Sequence, residues 1–188
     1  DAEQAELFTT VAAYAEEYGV NPERVFVCGF SAGGHLAASL GTRWQTPEVS
    51  EALDIPFGIN RPTGMILGYP VLSYFEKTHM GTFHNAFGTT EPTKEQIEFC
   101  SPERGISQST VPPAFLWHTA DDPAVNVQNT LRMATALSEA GVSFEVHIYP
   151  HGPHGMALAN EITATNTSMV EPRVAGWIEL ACSWMKTI

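Results

Sequence analysis

Ser31 sits at the centre of Gly29-Phe30-Ser31-Ala32-Gly33, a spacing that could present a hydroxyl as a nucleophile. The preceding run Arg24-Val25-Phe26-Val27-Cys28 is β-branched and aromatic and reads as a buried strand. The small residues that follow, through Ala38, open a helix. A strand that turns straight into a helix is so tight that side chains two positions either side of the serine are expected to clash, hence Gly29 and Gly33. Gly34 adds further room. The first helical amide, that of Ala32, points where it can donate to an oxyanion. The bland alternative is an ordinary glycine-rich turn. A phosphate-binding loop fits less well, because neither its Lys-Ser/Thr ending nor its glycine spacing is present.

A serine hydroxyl needs a histidine to take its proton and a carboxylate to orient that histidine. Asp121 and Asp122 follow the apolar run of residues 114–119, where a loop beyond a strand should present such a carboxylate. In the loop Pro150-His151-Gly152-Pro153-His154-Gly155, His154 is the expected base. His151 is the rival within that loop, with solvated pocket-shaping as its plainer role, and His147 lies inside a strand. These three histidines could alternatively ligate a metal, but their spacing makes no single helical face and no nearby carboxylate or cysteine completes a set. His35 and His118 read as packing or supporting residues.

These residues need a scaffold. Residues 24–28, 63–69, 114–119 and 143–149 are short apolar runs bounded by Pro or Gly, and read as strands. Helical periodicity covers residues 2–18, stopped by Gly19, and 127–140, with Leu131, Ala134 and Leu137 on one face and Gly141 as the stop. A closing helix over 172–186 places Val174, Trp177, Ile178, Ala181 and Met185 together. Strands alternating with helices predict an α/β class with a mostly parallel sheet flanked by helices. Residues 1–188 read as one domain. Residues 73–113 break the rhythm as a lid-like insertion, with one short helical candidate at 93–99.

The 188 residues are 44% apolar, enough for a real core. A net charge of −12 argues against nucleic acid and anionic lipid as partners and favours a neutral small-molecule substrate. The cysteines Cys28, Cys100 and Cys182 are odd in number and widely spaced, which favours a reduced, cytoplasmic setting. No apolar run approaches the roughly 20 residues of a membrane span.

The stretches Val27-Cys28-Gly29-Phe30-Ser31-Ala32-Gly33-Gly34-His35-Leu36-Ala37, residues 112–122 and Tyr149-Pro150-His151-Gly152-Pro153-His154-Gly155 together resemble the α/β-hydrolase superfamily. The likeness is to its esterase and lipase-like branch, which includes acetyl esterases and acetyl-xylan-esterase-like proteins. The chain order Ser, acid, His is that of the superfamily. Its Asp-x-x-Val pattern is met by Asp122 and Val125, which singles out Asp122 and leaves Asp121 to cap the following turn.

The resemblance implies hydrolysis of carboxylic esters, often short acyl groups such as acetate on sugars, without metal or nucleotide cofactor. A peptidase of the prolyl-oligopeptidase type shares the motif and the triad order, and a catalytically silent interaction module shares the fold. Such enzymes carry strands and a second oxyanion-hole loop ahead of the nucleophile, and nothing before Arg24 supplies either. The chain is therefore expected to be the C-terminal catalytic portion of a longer hydrolase. The absent segment, or a partner chain, would lie beside the nucleophile strand. The insertion is expected to shape the substrate pocket, with Phe75, Phe83, Phe87 and Phe99 as apolar candidates.

Overall fold

The computed structural model describes residues 10, 13–47, 51 and 54–188. The helix expected over residues 2–18 falls largely outside them, and its described end is α1, Ala15–Tyr18, closed by Gly19 at φ 63°. Glycine adopts this left-handed conformation at no steric cost.

Four strands make one parallel sheet in the order β1 (Phe26–Phe30), β2 (Gly64–Gly68), β3 (Ala114–Thr119), β4 (Phe144–Tyr149). Sequential order with parallel pairing puts every strand's carboxyl end on one edge of the sheet, so the loops after β1, β3 and β4 converge there. The first strand runs two residues further than its apolar pattern suggests and ends one residue before Ser31. Its Gly29 and Phe30 are the start of the elbow and still pair with β2.

The helix α2 (Ala32–Arg43) packs against β1 and β2. In the insertion, α3 (Met80–Phe87) and α4 (Lys94–Phe99) precede a 3₁₀ turn at Pro102–Gly105. The pattern of residues 73–113 announced only α4, whose start carries a reciprocal Thr93–Gln96 capping box. After β3 comes α5 (Gln128–Glu139), stopped by Gly141 at φ 69°.

The expected closing helix is two helices, α6 (Pro172–Ala175) and α7 (Trp177–Met185), meeting at Gly176. Its buried side is formed by Val174, Trp177, Ala181 and Trp184, whereas Ile178 is exposed. Met185 packs, half-buried, against the same cluster, which also takes in Trp184.

Two apolar layers cover the sheet. One joins Ala37, Ala38, Met65, Leu67, Leu116, Met133 and Leu137 beneath α2 and α5. The other is aromatic, with Phe115, Trp117, Trp177 and Trp184 against the opposite face. Trp117 and Trp177 stack at 5.4 Å, which ties α7 to the centre of the sheet.

Candidate active site

The site begins with the backbone of Ser31, held at φ 55°, ψ −121°, a conformation that L residues rarely adopt. Three contacts enforce it. Its amide donates to the Gly68 carbonyl, and its own carbonyl accepts from Val71 and from His35. The glycines around it divide the work differently from expectation. A Cβ on Gly29 would lie 2.1 Å from the Gly33 carbonyl oxygen, and one on Gly34 2.7 Å from the Pro70 Cβ. A Cβ on Gly33 would meet nothing within 4 Å among the described residues. Crowding therefore explains Gly29 and Gly34, and not Gly33.

The structure brings Ser31, His154 and Asp122 into one hydrogen-bonded chain. His154 Nε2 lies 2.8 Å from Ser31 Oγ, and its Nδ1 lies 2.7 Å from Asp122 Oδ2. An imidazole so placed can accept a proton from the hydroxyl while the carboxylate faces the charge that results. The Asp122 side chain is 1% exposed and that of His154 21%, so the acid is sealed from water while the base remains reachable. Burial works against ionisation of Asp122. Hydrogen bonds from His118 and His154 and from the amides of Val125 and Ala124 outweigh it, holding the carboxyl well below the usual carboxylate range.

The role expected of Asp121 goes to its neighbour. Asp122 Oδ1 itself accepts from the amides of Ala124 (2.8 Å) and Val125 (2.9 Å) and so caps the turn that carries it. Asp121 reaches across to the next loop instead, where it meets His151 Nδ1 at 2.8 Å and the Gly152 amide at 2.9 Å. The two side chains leave the turn after β3 in different directions, and of the pair it is Asp122 that reaches His154. His147 pairs with Glu145 at 2.7 Å, so the three histidines of this region turn to three different carboxylates.

Ala32 opens α2, and as the first helical amide it lies outside the i→i−4 ladder. Of the four insertion phenylalanines, Phe83 is fully buried with Val71 and Val125, a packing position. Phe75 lies beneath the Arg132 guanidinium. Phe99 borders a cavity of about 370 Å³ along α2 with Leu36, Leu40 and Trp44. Phe87 shares the neighbouring cleft with Phe99.

Periodicity and spacing missed Tyr69. It follows β2 at φ 35°, packs edge-on to the His154 ring at 4.9 Å, and its hydroxyl accepts from the Ala157 amide. The only signal was its place before Pro70 at a strand end. Asn129 was missed as well. Its buried Oδ1 accepts from Leu72 and Ser73, anchoring the loop after β2 to α5.

Family comparison agrees with this fold. Residues 2–158 match the model of a family described as having the alpha/beta hydrolase fold, and the chain belongs to that family. An acetylxylan esterase of Xylanibacter ruminicola is 33% identical over 159 residues, covering 82% of this chain and 30% of that protein. An endo-1,4-beta-xylanase B of Butyrivibrio fibrisolvens is 34% identical over 149 residues, covering 78% of this chain and 23% of that protein. Among solved structures, an acetyl ester-xyloside bifunctional hydrolase from Caldicellulosiruptor lactoaceticus superposes with a TM-score of 0.81 at 34% identity, over 98% of this chain and 64% of that one. The chain thus spans less than a third of the length of these two curated relatives and about two thirds of that solved structure.

Proposed function

We propose that this chain carries the catalytic portion of a serine carboxylic-ester hydrolase acting on short acyl esters, acetyl esters foremost and those borne by sugars among them. The observation that carries this reading is the unbroken hydroxyl–imidazole–carboxylate chain built on the left-handed backbone of Ser31. The relatives named for acetylxylan and acetyl esters support the substrate class.

In this mechanism Ser31 Oγ attacks the ester carbonyl while its proton passes to His154 Nε2. Asp122 faces the imidazolium and the Ala32 amide donates to the oxyanion. Collapse of the intermediate breaks the bond to the alkoxy oxygen, and His154 returns the proton to the departing alcohol. Water, deprotonated by His154, then attacks the acyl-enzyme and releases the acid and Ser31. A xyloside-cleaving reading, suggested by two relatives' names, would need two carboxyl groups facing one scissile bond. Asp122 instead has both oxygens engaged, by His154 and by its own turn.

We further propose that another segment of the parent chain, or a partner chain, covers the outer edge of β1. Alternation along that strand aims Phe26, Cys28 and Phe30 backbone groups away from β2, since Val25 and Ser31 bond towards it.

The test is hydrolysis of p-nitrophenyl acetate, longer acyl esters and p-nitrophenyl xyloside by the parent-length protein and its Ser31→Ala variant. Short-ester activity that Ser31→Ala abolishes is expected. An inactive parent protein, or full activity in Ser31→Ala, overturns the reading.

A further inference from the structure

We infer that His118 is a positioning residue for Asp122, fixing the carboxylate's orientation and tuning its support of His154; the inference rests on the esterase reading above. His118 lies at the penultimate position of β3 with its side chain wholly buried. A buried imidazole must find partners for both ring nitrogens. Its Nδ1 is 2.7 Å from Thr130 Oγ1 on α5, and its Nε2 is 3.0 Å from the Val125 carbonyl and 3.5 Å from Asp122 Oδ2.

These partners determine the tautomer. A carbonyl oxygen only accepts, so Nε2 carries the hydrogen, and in the neutral ring Nδ1 accepts from the Thr130 hydroxyl. The Nε2 hydrogen then lies between the Val125 carbonyl and Asp122 Oδ2, the same oxygen that accepts from His154. Val125 is held at both ends, by its amide to Asp122 Oδ1 and by its carbonyl to His118. The turn that presents the carboxylate is thereby locked to β3 and, through Thr130, to α5.

The second imidazole also has an electrostatic effect. Its N–H dipole offsets part of the Asp122 charge, which is the charge that stabilises protonated His154. Removing that donor leaves the carboxylate less compensated and free to turn, which displaces the acid limb of the rate profile upward. Among the described residues Asp122 is the charged group facing both rings. Tyr69, packed edge-on to His154, has its phenol pushed up, by burial foremost, and adds no charge near neutral pH.

Nitrogen-15 NMR of histidine-labelled parent-length protein comes first, because it needs neither substitution nor activity. An Nε2–H tautomer for His118 near neutral pH is expected, and an Nδ1–H tautomer overturns the inference. The pH dependence of kcat/KM for p-nitrophenyl acetate is then compared in His118→Phe and His118→Gln. The Phe variant is expected to lose about tenfold in kcat with KM nearly unchanged, its acid limb displaced upward by about half a pH unit. Gln, which retains a terminal N–H, is expected to return the limb towards its original position. A Phe variant with an unmoved limb and unchanged kcat overturns the inference. Should the Phe variant not fold, the tautomer decides. A parent protein with no esterase activity defeats the functional reading alone, since the tautomer still judges the geometry.

Discussion

Asp122 concentrates more of the site's chemistry than any other side chain, accepting from His154 and from two amides of its own turn. Replacing it by Asn should keep that shape and lose the charge, lowering kcat by about 10⁴ with little change in KM, as read by acetyl-ester kinetics. Its depressed carboxyl also carries a stability signature. The unfolded chain takes up this proton at about pH 4, before the folded one does. Asp122 therefore stabilises the fold fully above that range, and the contribution declines as pH falls and is gone below the depressed folded value. Urea midpoints of the wild type should fall more steeply below about pH 4 than those of Asp122→Asn. At this scale strand signatures pointed to Ser31, to the pair Asp121 and Asp122 and to the loop of His154, each just beyond a strand, and the Asp-x-x-Val pattern of the family resemblance singled out Asp122. Asp121 was misread because which of two adjacent carboxylates caps a turn depends on where the neighbouring loop passes, and no local pattern encodes that.

The elbow between β1 and α2 gives the sharpest element-scale contrast. Gly29→Ala drives a methyl into the Gly33 carbonyl, so the elbow must open, at a cost of about 3 kcal/mol or more and with loss of activity. Gly33→Ala meets open space in the first turn of α2 and should be neutral or stabilising by up to about 1 kcal/mol. Paired thermal melts check both. Asn129→Ala on α5 strips the acceptor from two buried amides, those of Leu72 and Ser73, and should destabilise by about 1–3 kcal/mol for each amide left unpaired. Chemical denaturation measures it. The strands were legible because buried parallel strands are short apolar runs between turn residues. The helix α3 was not, since its eight residues, with Met80, Phe83 and Phe87 at helical spacing, are fewer than the window over which periodicity separates a helix from a loop.

Across the whole molecule, the alternation of strand and helix foretold the α/β class, and consecutive parallel strands put every functional loop on one edge. What the alternation could not convey is which contacts span the chain, such as the stack of Trp177 on Trp117. Among the described residues β1 is an edge strand, and this yields a prediction at this scale. In the parent-length protein the amides of Phe26, Cys28 and Phe30 should be protected from hydrogen exchange as well as those of Val27 and Gly29, and rapid exchange of the outward set alone would show the edge uncovered.

One bond in the aromatic layer reaches further than packing. The Trp177 indole donates to the carbonyl of Ala157, whose amide is held by Tyr69 three residues beyond His154. Ser31 and the imidazole it meets are separated by 123 residues, and the indole that braces the loop of His154 lies further along still. These side chains therefore meet only once the sheet and α7 have docked, which ties the geometry around Ser31 to the seating of that helix.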